Sequence, residues 1–122
     1  MDYNEQLLSD NKEPKTNIFL LTKPPGSERT KLCFKLLSRS KDARLYLCGD
    51  GVYCLLGGIG NSLTDIFENS LGEAHFCDRI FVCREDMEAR GISCVNGIRI
   101  CGNFYDMLIE DMMEEGCRVY SF

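Results

Sequence analysis

Short apolar runs alternate along the chain with segments of helical spacing. Ile18-Phe19-Leu20-Leu21 and Ile80-Phe81-Val82 are continuous, as expected of strands covered on both faces. They predict strands over Asn17–Thr22 and 79–83. Leu45-Tyr46-Leu47 predicts a strand over Ala43–Cys48, Ile98 and Ile100 predict one over 98–101, and the chain closes on a last strand, Cys117–Phe122. Between them, Leu32, Cys33, Leu36 and Leu37 predict a helix from 28 to about 39, with Lys31, Lys35 and Arg39 on its outer side. Leu63, Ile66, Phe67 and Leu71 suggest a short helix within 62–76. The polarity reversal after Val82 predicts a helix over 84–90, and Phe104, Leu108, Ile109, Met112 and Met113 predict one over 104–115.

Turn and cap chemistry supports these bounds. Lys23-Pro24-Pro25-Gly26 breaks the first strand, Ser27 suits an N-cap and Glu28 the first turn. Glu85 and Asp86 fall in the first turn of their helix, Arg90 in the last, and Gly91 follows as a stop. Gly49-Asp50-Gly51 forms a tight turn in which Asp50 can cap a helix starting at about 51. Gly57, Gly58, Gly60 and Asn61 make a loose loop, suited to a cover or a subunit contact. Asn96-Gly97 predicts a turn, Asn103 caps the last helix with Asp106 three residues on, and Gly116 ends it. The alternation of strands and helices implies an α/β domain with a parallel sheet and helices on both faces. Strand order is not readable from it.

Length sets the scale. At 122 residues one domain is expected. Residues 1–16 are polar and aperiodic, without the apolar core of a secretory leader, and are expected to form a mobile tail. The domain then spans 17–122. A net charge of −5 argues against a general nucleic-acid or acidic-membrane surface, and no apolar stretch is long enough to span a bilayer.

Chemistry enters through eight cysteines, at 33, 48, 54, 77, 83, 94, 101 and 117. No pair has C-x-x-C spacing, so neither a zinc nor an iron–sulfur site is expected. Several lie inside apolar runs, as small buried hydrophobes, and we read them as reduced. The predicted layout puts Cys48, Cys83 and Cys101 at the carboxyl ends of strands, the edge where open α/β sheets bind ligands. Cys54 falls one turn into the helix after Cys48. Cys83 also stands at a helix start, where free amides can lower a thiol pKa and hold an anionic sulfur. Arg84 adds positive charge beside it, and Glu85 and Asp86 oppose it. His75, the only histidine, lies beside a strand, where a structural role is commoner than catalysis. Gly26–Lys31 lacks the ending of a phosphate loop, and no G-x-G-x-x-G supports a nucleotide or flavin site.

The run RIFVCREDMEARGI (residues 79–92) resembles the corresponding run of the DsrE/DsrF/DsrH superfamily, which includes the Tus sulfur-relay subunits. The ED-x-x-ARG-I core and the closing Arg118–Phe122 resemble the DsrH/TusB branch, and Cys83 resembles the sulfur-carrying cysteine of the DsrE/TusD branch. The resemblance covers roughly residues 17–122. It implies a three-layer α/β/α sandwich on a mainly parallel five-stranded sheet, and a cytoplasmic sulfur relay in which Cys83 takes sulfane sulfur from a donor protein and passes it to an acceptor. Cys48, Asp50, Cys54, Arg84 and Cys101 are candidate accessory residues at the same edge. No metal or organic cofactor, no direct nucleic acid and no membrane is implied. Relays of this family serve tRNA thiolation or sulfur oxidation, and its members form homo-oligomers (trimers or hexamers) and hetero-oligomers. Some subunits of these do no chemistry, so a non-catalytic interaction subunit is the alternative.

Overall fold

The computed structural model describes residues 16–40, 42–56, 79–93 and 99–122. The tail up to residue 15, the glycine-rich loop, the helix expected within 62–76, His75, Cys77, Cys94 and the Asn96-Gly97 turn lie outside them.

Strands β1 (Thr16–Leu21), β2 (Ala43–Leu47), β3 (Ile80–Cys83), β4 (Arg99–Cys101) and β5 (Cys117–Ser121) form one sheet in the order β4-β3-β2-β1-β5. Every pairing is parallel. The chain steps outward from β1 to β4, then returns to place β5 on the far side of β1. Right-handed crossovers therefore put the earlier connections on one face and the last on the other. The packing follows. Helix α1 (Glu28–Leu37), a 3-10 helix (Gly49–Leu55) and α2 (Arg84–Ala89) contribute Cys33, Leu37, Val52, Cys54 and Met87 to a core built on Phe19, Leu21, Leu45, Leu47, Ile80 and Val82. Helix α3 (Phe104–Met112) brings Phe104 and Leu108 to the opposite face, against Ile18, Tyr46, Cys48, Phe81, Cys83 and Cys101. The expected three-layer sandwich is thus observed, and strand β1 opens one residue earlier than its sequence predicts.

Capping fixes the rotation of α1. Ser27 accepts a hydrogen bond from the Thr30 amide (3.1 Å), and the Thr30 hydroxyl donates to the Pro24 carbonyl (2.8 Å). That turns Thr30, Cys33 and Leu37 inward and leaves Leu32 and Leu36 exposed, against the stripe expected from the apolar pattern.

On α3 the determinant is polar. The Asp111 carboxylate accepts from the Tyr46 hydroxyl and pairs with Arg44 Nη1 at 2.8 Å. Phe104, Leu108 and Asp111 therefore share the inward face, whereas Ile109, Met112 and Met113 are exposed rather than core. Asn103 occupies the N-cap of α3 but makes no capping hydrogen bond with its side chain. The helix ends at Met112, so Glu114 and Glu115 lie beyond it.

Gly91 and Gly51 show two different reasons for which the backbone requires glycine. Gly91 has φ of 69°, and its amide bonds the Glu88 carbonyl while the Ile92 amide bonds that of Met87, closing a Schellman turn with Met87 and Ile92 both buried. Gly51 lies so close to the end of β1 that a β-carbon there would stand 2.2 Å from the Leu21 carbonyl oxygen. Gly91→Ala should cost about 1–2 kcal/mol through left-handed strain. Gly51→Ala should cost more, about 3 kcal/mol, because backbone must move. Urea unfolding of the two variants checks the ranking, and a Gly51→Ala midpoint at or above that of Gly91→Ala would contradict the close approach.

Candidate functional site

Parallel register assembles the candidate site. Leu47 pairs with Val82, and Cys83 pairs with Cys101. Cys48 follows Leu47 just as Cys83 follows Val82, so the three cysteines form a row across the carboxyl ends of β2, β3 and β4. All three belong to the core cluster on the α3 face and are buried, Cys83 being 3% exposed. None of the six described cysteines forms a disulfide.

Loops and helix starts surround the row. Cys83 is the N-cap of α2, and the Asp86 carboxylate in the first turn accepts a 2.7 Å hydrogen bond from the Gly49 amide. Gly49 reaches this position with φ of 56°, which starts the 3-10 helix at once. Asp50 therefore does not cap that helix. It lies inside the first turn and pairs with Arg90 Nε at 3.1 Å. Arg90 also donates to the Asp86 carbonyl (3.1 Å) and lies over the Tyr53 ring. The Arg84 guanidinium packs against Gly102, directly after Cys101: a β-carbon on Gly102 would meet Arg84 Nη1 at 3.3 Å. From α3, the Tyr105 hydroxyl acts on the Cys48 thiol, favouring its thiolate, while half of the residue stays in solvent.

These neighbours decide the state of the sulfur. Burial pushes the Cys83 thiol up, and the Asp86 carboxylate adds to that, while the Glu85 and Asp86 amides pull it down without closing a capping bond; the net direction is upward. Cys48 is likewise raised, by burial first and then by Asp86 and Cys83, with the Tyr105 hydroxyl and Arg90 opposing. Tyr105 is pushed up to about 12 by desolvation and by Cys48. Cys48 and Cys83 are therefore held as protonated thiols near neutral pH.

Of the residues expected at this edge, Cys48, Cys83, Cys101 and Arg84 are brought together, and Asp50 is joined to them through Arg90. Cys54 is not. It faces the other side of the sheet beside Cys33, and burial pushes each thiol up to about 12. Tyr105 and Asp86 were not expected as site residues, although both stand in the first turn of a helix that follows a strand's carboxyl end. Among the described residues, no group of three His, Cys, Asp or Glu is arranged to hold a metal ion.

Asp86→Asn keeps an acceptor for the Gly49 amide and removes the charge that disfavours the Cys83 thiolate. The pH profile of Cys83 alkylation, resolved by peptide mass, should move to lower pH, with a several-fold faster rate at neutral pH. An unmoved or upward-shifted profile would contradict this assignment.

The comparisons with known proteins agree with this architecture. The fold is similar to that of the crystal structure of the ychN protein from E. coli, with a TM-score of 0.62 and 21% identity over 88% of this chain and 99% of that one. No curated protein matches the chain. No helix among the described residues is long and apolar enough to cross a membrane. The DsrH-like protein family matches residues 23–116, most of the 122-residue chain. Its members work in sulfur-relay complexes with partner proteins, and the chain belongs to this DsrH-like family, within the DsrE/DsrF/DsrH superfamily.

Proposed function

We propose that the chain is a cytoplasmic sulfur-relay protein that carries sulfane sulfur as a persulfide on Cys83. The observation that supports this most is the thiol row itself: Cys83 stands between Cys48 and Cys101 at the carboxyl edge of the sheet, at a strand-to-helix joint. Loading would be a thiol exchange. The Cys83 thiolate attacks the outer sulfur of a donor persulfide, a sulfur–sulfur bond forms at Cys83, the donor's bond breaks, and the donor leaves as thiolate. An acceptor thiolate would reverse the step. The domain, residues 17–122, acts as one unit in this reading, with donor and acceptor proteins as partners and a trimer, hexamer or hetero-oligomer as the assembled form. The chemistry needs no metal or organic cofactor.

A second reading has its own support. Cys83 is buried and its thiol raised, and α3 turns Ile109, Met112 and Met113 to solvent. Both features suit an interaction subunit that does no chemistry and binds a partner through an apolar helix face.

Incubation with a sulfane-sulfur donor, thiol blocking and peptide mass mapping separate the two. The relay reading expects one added sulfur on Cys83 and none in Cys83→Ser. Loading that survives in Cys83→Ser would exclude Cys83 as carrier. An unloaded Cys83 beside a control thiol that does load, with partner assembly intact in Cys83→Ala, would favour the interaction subunit.

A further inference from the structure

The thiol row carries more chemistry than transfer alone. Cys83 and Cys101 end neighbouring parallel strands and are direct register partners. Their side chains leave the sheet on the same face, among the residues packed under α3. Neighbouring strands run about 4.8 Å apart. That falls within the span of about 4.4–6.8 Å that a disulfide bridges between α-carbons. Cys48 is differently placed. It lies past the end of β2, outside the strand pairing that joins Cys83 to Cys101, and the Asp86 carboxylate disfavours its thiolate. The Arg84 guanidinium lies against Gly102, the residue that follows Cys101.

Resting on the carrier reading of Cys83, we infer that Cys101 resolves the Cys83 persulfide, so that sulfur not taken by an acceptor is released as hydrosulfide. The Cys101 thiol gives up its proton and attacks the inner sulfur, Cys83 Sγ. The bond between the inner and outer sulfurs breaks, a Cys83–Cys101 disulfide forms, and the outer sulfur departs as hydrosulfide carrying the proton. The sulfane sulfur is reduced by two electrons, and the two cysteines are oxidised by two, so no outside reductant enters the first turnover. Return to the dithiol requires a dithiol reductant. The site would then work as a carrier when an acceptor is bound and as a single-turnover sulfane-sulfur reductase when none is.

The test loads the full chain with inorganic polysulfide, quenches with an alkylating agent at successive times, and maps the cysteine peptides. Wild type should show a transient persulfide on Cys83 followed by a Cys83–Cys101 disulfide. Cys101→Ser and Cys101→Ala should hold the persulfide on Cys83, with a lifetime longer by about tenfold or more. A stable Cys83 persulfide in wild type with no Cys83–Cys101 disulfide overturns the inference and leaves the carrier reading standing. A disulfide from Cys83 to Cys48 overturns the choice of Cys101. Absence of sulfur on Cys83 in wild type and in both variants overturns the carrier reading, and this inference with it.

Discussion

The arrangement at the sheet edge depends on one buried side chain, Tyr46. It lies fully within the α3 face, its ring stacked on Phe81 at 4.7 Å between centroids and met edge-on by Phe104 at 5.5 Å. Its hydroxyl donates to Asp111, which also pairs with Arg44. The apolar body of Tyr46 thus holds the first turn of α3, and its polar tip holds the last. A buried phenol without a partner would cost about 1–3 kcal/mol, so the Asp111 contact is a condition of the packing as well as an addition to it. Once both ends are fixed, Tyr105 is carried over the row of thiols and Ile109, Met112 and Met113 are turned away from the core.

The same interior sets the chemical character of the site. A nucleophilic cysteine is expected to be exposed and electropositive. Here Cys83 is buried, with an acid as close an influence as its helix amides. Burial keeps the Cys48 and Cys83 thiols protonated and limits their access to alkylating and oxidising agents. In the proposed relay, reaction would then be conditional on a partner that moves α3 or supplies a base. On the opposite face Cys33 and Cys54 are simply core, with thiols that stay neutral well into the alkaline range.

Much of the fold was legible because strands covered on both faces write continuous apolar runs, and helix starts and stops carry specific residues. Ser27 and Gly91 stand where capping chemistry requires, whereas Gly116, expected to end the last helix, lies beyond its Met113 C-cap in the turn before β5. Long-range contacts were not legible. Leu32, Leu36, Ile109 and Met112 satisfy a helical spacing equally well facing in or out, and the choice was made by Thr30 and Asp111, whose partners come from elsewhere in the fold. Asp50 looks like a cap from its neighbours, but Gly49 at positive φ starts the 3-10 helix too early for that. The candidate site was legible as a set of strand ends; that Cys83 and Cys101 are partners follows only from strand order and register.

The central claim is that α3, docked through Tyr46 and Asp111, roofs a discrete thiol row on one face of the sheet. Peptide-resolved alkylation of native Asp111→Ala tests it most directly. The account predicts that Cys48 and Cys83 label faster together, while Cys33 and Cys54 stay as protected as in wild type. Equal acceleration of all four thiols, or none at Cys48 and Cys83, would contradict it.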